Sequence, residues 1–279
     1  MIKAPVNKII PFSNVDGPGN RTALFFQGCS FACLYCHNPE TIHLCRDCGA
    51  CVPVCPAGAL RMEEGKVRWD SKKCVQCDTC LKTCPELASP RVRWMSVAEV
   101  MTEITRAAPY ISGITVSGGE CSLRQDFLVE LFPRVRALGK TCLMDSNGSL
   151  DFLRMPALMD LCDGVMLDVK AAGAAWRKQL LGAEGDMPLR NLDSLLRIGK
   201  LAEVRTVLFP NRRPENEETI RHVCAQIGDK VPYRLIRYRP FGVRPEGLRL
   251  LGEECLEAEE AERYAALARS LGAAKAFVV

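Results

Sequence analysis

Six short apolar runs recur along the chain, over residues 22–27, 113–117, 140–145, 164–169, 203–209 and 233–238. They show little polar alternation, the pattern of parallel strands buried on both faces. Residues 96–108, 123–138, 152–162, 174–181, 189–199 and 215–227 instead place apolar side chains every three or four positions, which predicts amphipathic helices. Ser96 followed by Glu99 is a capping box that opens the first of them. A further amphipathic helix is expected over 257–271 and a last strand over 275–279. Strand then helix, six times over, implies either a parallel barrel or a doubly wound sheet, with chemistry in the loops at the carboxyl ends of the strands. Periodicity leaves those two options open.

Residues 40–93 interrupt this rhythm, and their cysteines change the picture. Cys45, Cys48, Cys51 and Cys55 form C-x2-C-x2-C-x3-C with Pro56 next, and Cys74, Cys77, Cys80 and Cys84 repeat it with Pro85 next. This duplicated run is that of bacterial two-cluster ferredoxins, in which the fourth cysteine of each motif ligates the other motif's cluster. The expected sets are Cys45, Cys48, Cys51 with Cys84, and Cys74, Cys77, Cys80 with Cys55. Each set is closed and suits electron transfer or stapling of a small insert that lacks a core of its own.

A third motif differs. Cys29, Cys33 and Cys36 are spaced C-x3-C-x2-C and lead into His37-Asn38-Pro39. Three thiolates can hold three irons of a [4Fe–4S] cube, so the fourth iron is open to another ligand. Tetrahedral zinc is the plain alternative, with His37 or a distant cysteine as fourth ligand. It accounts for neither the glycine-rich string upstream nor the cysteine runs downstream.

That upstream string, Asp16-Gly17-Pro18-Gly19-Asn20-Arg21, continues through Phe25 and Gly28 into the cysteine loop. As a whole it resembles the signature of the radical S-adenosylmethionine (SAM) enzymes that activate glycyl radical enzymes, the relatives of pyruvate formate-lyase activating enzyme. The resemblance implies an incomplete (β/α)6 radical SAM barrel over 1–39 and 94–279 with an inserted bacterial-type 2[4Fe–4S] ferredoxin-like domain over 40–93. Within the family the chain most resembles the subgroup with this insert, of the YjjW type. The cofactors implied are three [4Fe–4S] clusters, one of them binding SAM, together with SAM and a monovalent cation. SAM would be cleaved reductively to a 5′-deoxyadenosyl radical that takes an α-hydrogen from a glycine of a partner glycyl radical enzyme. A flavodoxin or a ferredoxin-type protein would supply electrons.

The same resemblance distributes roles at the strand ends. Gly118-Gly119-Glu120 resembles the GGE motif that meets the methionine moiety of SAM, with the Glu120 carboxylate near its ammonium. Here Cys121 follows where proline is usual, and it reads as structural. Asp145-Ser146-Asn147-Gly148 and Asp168-Val169-Lys170 resemble the D-T-x-G and D-x-K elements that border SAM and the cation. Asp168 and Lys170, two apart on one strand, face the same side. Arg205 could pair bidentately with a carboxylate, although a surface ion pair is its default reading. Tyr35 is expected to pack near the adenine, with Cys36 and His37 beside it. Arg239 stands where close relatives carry histidine, which retains a cation but puts proton transfer there in doubt. Each of these short motifs alone is an ordinary turn or strand-end salt bridge.

Composition narrows the class. Eleven of the 16 cysteines belong to the three motifs, which fits a reducing, cytoplasmic setting better than disulfides at such tight spacing. Cys142, Cys162, Cys224 and Cys255 read as small buried hydrophobes, and His43 and His222 join no constellation. A net charge of +4 without aromatic-basic alternation argues against nucleic acid. No apolar stretch approaches the ~20 residues of a membrane span. Two other functions stay in view: radical SAM chemistry on a small molecule or a non-glycyl peptide, and an iron–sulfur electron carrier, which would leave residues 94–279 without a purpose.

Overall fold

The computed structural model describes residues 2–279. Its elements in chain order begin with β1 (Lys3–Ser13), β2 (Arg21–Phe26), β3 (Leu60–Glu63), β4 (Lys66–Trp69), α1 (Thr79–Thr83) and β5 (Arg93–Ser96). The alternating part follows: α2 (Val97–Ala107), β6 (Gly113–Gly118), α3 (Gln125–Ala137), β7 (Thr141–Ser146), α4 (Pro156–Leu161), β8 (Gly164–Asp168), α5 (Ala174–Leu181) and α6 (Met187–Arg197). It ends with β9 (Leu201–Leu208), α7 (Arg213–Ile227), β10 (Tyr233–Arg237), α8 (Pro245–Leu251), α9 (Ala258–Ser270) and β11 (Ala276–Val278). All six predicted strands and all six intervening helices are present, within a few residues of their predicted ends. The 152–162 helix begins as a short 3-10 turn at Phe152–Arg154, and α8 was not foreseen.

One nine-stranded sheet runs β11-β10-β9-β8-β7-β6-β2-β1-β5. From β11 to β2 neighbouring strands are parallel. β1 and β5 are antiparallel additions. β11 and β5 lie at opposite ends of that order, so the sheet is not closed. β1 escaped the sequence reading because Pro5 and Pro11 argue against a sheet-interior strand. Its pairing with β2 shifts register between Val6 and Lys8 and again between Ile10 and Ser13. Arg93 already pairs with Val6 of β1, so the main sheet resumes at residue 93.

The core forms where apolar side chains on one face of the sheet meet the helices. Ile114 and Val116 of β6, Val165 and Leu167 of β8 and Val204 of β9 pack in a single buried cluster with Leu128 and Phe132 of α3 and Ile220 of α7. The alternate residues, among them Ser117, Asp145, Asp168 and Arg205, occupy the other face. The predicted capping box at α2 is present: Glu99 N–H donates to Ser96 Oγ at 3.3 Å and Ser96 N–H to Glu99 Oε2 at 2.7 Å.

Arg21, at the amino end of β2, is fully buried. Its Nε donates to Thr115 Oγ1 at 2.8 Å, and Nη2 donates to the carbonyls of Ile114 at 2.6 Å and Thr141 at 3.2 Å. Pro18 also receives Nη1. The glycine-rich string is therefore stitched to the amino ends of β6 and β7, the opposite end of the strands from the cysteine loop.

Candidate functional site

The cysteine loop leaves the carboxyl end of β2 and is fastened on all sides by backbone. Gly28 and Cys29 N–H donate to the carbonyls of Thr41 (2.8 Å) and Ile42 (2.9 Å), while Ala32 and Leu34 N–H donate to Leu181 and Leu180 at the end of α5. Arg244, just before α8, donates to the carbonyls of Ala32 (2.9 Å) and Cys33 (3.2 Å). Gly247 lets α8 approach: a Cβ there would lie 1.9 Å from the Leu34 carbonyl oxygen. Nothing in the sequence announces these α8 contacts, because they span over two hundred residues.

Cys29, Cys33 and Cys36 share this loop. Burial pushes the Cys29 thiol up to about 11 and Cys33 to about 12, and also raises Cys36. No nearby cation compensates fully, so near neutral pH these thiols stay protonated until a metal takes the proton's place. Cys29 Sγ already accepts from Asn147 Nδ2 at 3.4 Å and Phe31 N–H at 3.5 Å, donors of the sort that surround cluster sulfurs. Among the described residues no three His, Cys, Asp or Glu side chains converge closely enough for a single ion.

Gly118 and Gly119 extend β6 alongside this loop. Gly119 N–H donates to Phe26 O at 2.9 Å and Glu120 N–H to Gly28 O at 2.8 Å. A Cβ on Gly119 would lie 2.2 Å from the Gly28 oxygen, so glycine is needed here for strand-to-loop contact. Glu120 is buried just beyond this edge. Its buried carboxylate is filled by protein donors: Ser122 N–H at 3.0 Å, Ser122 Oγ and Ser146 Oγ at 2.7 Å, and Asn147 N–H at 2.8 Å. Through these bonds it positions the β7 loop. Cys121 is buried and donates to Asp145 O at 3.4 Å.

Tyr35 also turns inward. Its ring packs edge-on against Phe209 at 5.0 Å, with Trp176 and Tyr238 completing an aromatic layer beneath the loop. Burial raises its phenol well above the usual range, and its Oη is buried without a partner. The tyrosine anchors the cysteine loop from below. Lys170 sits 5.5 Å above that ring and pairs with Asp168 at 2.6 Å. Burial opposes its charge, but the Asp168 carboxylate outweighs it and holds Lys170 above the ordinary lysine value.

On the face opposite the helices, Asp145 and Arg205 meet at 3.1 Å, Arg205 reaches Glu203 at 2.5 Å, and Glu203 reaches Arg234 at 3.1 Å. Asp168 stands in register with Arg205 across β8 and β9, and Arg234 with Arg205 across β9 and β10. Burial pushes the Asp145 carboxyl up to about 6 despite Arg205 and the hydroxyl of Ser117 at 3.1 Å. Sequence reading named Asp145 and Arg205 separately. It missed Glu203, Arg234 and Ser117 and gave Asn147 no role of its own, although Glu203 lies two residues from Arg205 on the same strand and so shares its face. Arg239 has an exposed side chain, and its carbonyl, not its guanidinium, lies 3.0 Å from Nε2 of the exposed His37.

In the insert, one cavity of about 190 Å³ is lined by Cys45, Cys48, Cys51 and Cys84. A tighter cavity is lined by Cys55, Cys74, Cys77 and Cys80. The insert leaves and returns at one neck, where Ser89 N–H donates to Glu40 O at 3.1 Å and Gln27 Nε2 donates to the carbonyls of Glu40 and His43. Cys142, Cys162 and Cys224 are buried and Cys255 half-buried. Among the described residues no helix is long and apolar enough to cross a membrane.

Comparison with known proteins adds to this geometry. The 4Fe-4S single cluster domain family model matches residues 15–183. A protein of Haemophilus influenzae assigned as a glycyl-radical enzyme activating enzyme is 30% identical over all of this chain and 97% of its own. The indoleacetate decarboxylase activating enzyme of Tractidigestivibacter scatoligenes is 33% identical over 68% of each chain. The pyruvate formate-lyase 2-activating enzyme of Escherichia coli is 28% identical over 74% of this chain and 67% of its own. Among solved structures, a radical SAM methyltransferase from Sphaerobacter thermophilus aligns over 93% of this chain and 66% of its own, with a TM-score of 0.55 at 13% identity. That likeness concerns the fold.

Proposed function

This chain belongs to the glycyl-radical enzyme activating enzymes, and from that premise we propose that it generates a glycyl radical in a partner enzyme in a SAM-dependent reaction. The observation that carries the reading is that the three-cysteine loop, the Gly118-Gly119 edge and the Asp168–Lys170 pair stand at the same, carboxyl end of the parallel strands β2, β6 and β8. Cys29, Cys33 and Cys36 would hold the SAM-binding cluster. When bound, it supplies the electron that cleaves SAM, giving the 5′-deoxyadenosyl radical that abstracts a glycine α-hydrogen.

The chain's own groups bind and orient. The N–H groups of Gly119 and Glu120 are spent on the loop, so this edge offers a ligand carbonyl oxygens, which suit an ammonium. Lys170 and Arg205 offer cations to a carboxylate, and Asp145 and Asp168 offer oxygens to a ribose or to a monovalent cation. Tyr35 and His37 hold the loop's shape through Phe209 and the Arg239 carbonyl. The open sheet leaves room for a peptide segment to reach the polar face, and the segment's ordering keeps its affinity modest.

The insert, residues 40–93, is read as a ferredoxin-like domain with two further [4Fe–4S] clusters, its two cavities matching the crossed cysteine sets. With this reading go the expectations drawn from the resemblance and the cysteine usage: a YjjW-type subgroup, a flavodoxin or ferredoxin-type electron donor, and a reducing, cytoplasmic location. The test is anaerobic incubation with a candidate glycyl radical enzyme, SAM and reductant. A glycyl doublet by electron paramagnetic resonance is expected, together with deuterium transfer from glycine α-carbons into 5′-deoxyadenosine. Deuterium arriving from a small molecule, with no protein radical, would overturn the proposal.

A further inference from the structure

Within the two-cluster reading of the insert, on which this inference rests, the two cysteine cavities differ in what faces the sulfurs. Trp69 and Arg91 line the cavity of Cys55, Cys74, Cys77 and Cys80. The Trp69 ring N–H is buried and has no acceptor at hydrogen-bond geometry among protein groups. Ala59 N–H donates to Cys55 Sγ at 3.3 Å, and the Thr79 hydroxyl lies 3.3 Å from Cys77 Sγ. Arg91 is tethered to this wall by Asp78 at 2.6 Å.

The cavity of Cys45, Cys48, Cys51 and Cys84 is lined by Ala50, Val67, Ala88 and two prolines, together with Arg46 and Glu86, which pair with each other. Asp47 donates its N–H to Cys45 Sγ at 3.4 Å, but its carboxylate Oδ1 also lies 3.8 Å from that sulfur. Arg46, the nearby cation, is 72% exposed and paired with Glu86 at 3.0 Å, where solvent screens it.

Reduction adds a negative charge to a cluster. Donors and cations aimed at its sulfurs stabilise that charge and raise the potential, whereas a carboxylate and an apolar wall lower it. We propose that the Cys55, Cys74, Cys77, Cys80 site holds the insert's higher-potential cluster and the Cys45, Cys48, Cys51, Cys84 site the lower, with Trp69, Arg91 and Asp47 setting the gap. The lower-potential site is also the nearer along the chain to the cysteine loop, since Cys45 follows closely on Ile42, whose carbonyl accepts from Cys29 N–H at 2.9 Å. An electron shared within the insert therefore rests mostly on the Trp69 side.

The test is a redox titration followed by electron paramagnetic resonance, on the full chain reconstituted anaerobically with Cys29, Cys33 and Cys36 replaced by alanine, so that only the insert's signals remain. Two midpoints are expected. Trp69→Phe and Arg91→Gln should each lower the higher one by about tenfold in equilibrium constant, ~59 mV for one electron, and leave the lower in place. Arg91→Lys should recover most of the Arg91→Gln shift, and Asp47→Asn should raise the lower midpoint. Coincident midpoints, or Trp69 and Arg91 variants that move only the lower one, overturn this assignment while roughly eight irons per chain still uphold the two-cluster insert. Iron for a single cluster removes that reading, and this inference with it.

Discussion

Glu120 accepts the backbone N–H of Asn147 at 2.8 Å, and Asn147 turns its own side-chain amide onto the Cys29 sulfur at 3.4 Å. A carboxylate at the end of β6 thereby sets, through the β7 loop, a donor on the cysteine loop of β2. Replacing Glu120 by alanine strands the donors of Ser122, Ser146 and Asn147 in a buried place. That should cost on the order of 3 kcal/mol, which is a fall in Tm of roughly 6–12 °C. Glu120→Gln should lower Tm less and weaken SAM binding only in step with it. Equilibrium binding beside calorimetry checks this; a Glu120→Gln chain of native Tm that no longer binds SAM would show direct contact instead.

Arg21 makes an opposite case. Although it closes the signature string, its guanidinium is consumed by Thr115, Ile114, Thr141 and Pro18 away from the strand ends that carry the site. Arg21→Ala should destabilise by about 3 kcal/mol, because it leaves the buried hydroxyl and carbonyl acceptors of Thr115, Ile114, Thr141 and Pro18 without a donor. SAM affinity per folded molecule should stay near that of the parent. Denaturant unfolding and SAM titration under native conditions separate the two quantities.

Metal content follows from the three cysteine sets. Anaerobic reconstitution should load about twelve irons per chain, four to each cube. Replacing Cys29, Cys33 and Cys36 together by alanine should remove about four and abolish SAM cleavage. Iron analysis with sulfide determination checks it. Stoichiometric zinc in protein prepared without air would contradict the cube.

Thiol chemistry of the metal-free chain should be graded by burial. Cys33 and Cys29, pushed up to about 12 and about 11 by burial, should alkylate slowly at pH 8, their rates rising about tenfold per pH unit. Cys77 is exposed; hydrogen bonds from the Thr79 hydroxyl and N–H hold its thiol below the ordinary value, so it should react first. The raised pair stabilises the folded metal-free chain below an unfolded thiol's value near 9, and that contribution is lost as pH climbs through 11 to 12. Mass spectrometry of timed alkylation reads the order, and Cys33→Ala should flatten the alkaline loss of stability.

Short-range pattern was enough for much of this protein. The six strands and six helices follow from runs of apolar residues and the Ser96–Glu99 cap, because buried parallel strands and amphipathic helices each leave a local period in the chain. The three cysteine motifs are equally legible, since ligand spacing on a loop is a local property. What the sequence left open is what depends on faces and distances across the fold. Only the tertiary structure adds β1 and β5 as antiparallel strands beyond β2, leaves the sheet open, and turns Tyr35 down onto Phe209. It spends Glu120 on Ser122, Ser146 and Asn147, and links Asp145, Arg205, Glu203 and Arg234 across three strands. Most of these are settled by which side chains a buried polar or aromatic group meets once water is excluded, and, Ser122 and Glu203 apart, those partners lie tens to hundreds of residues away.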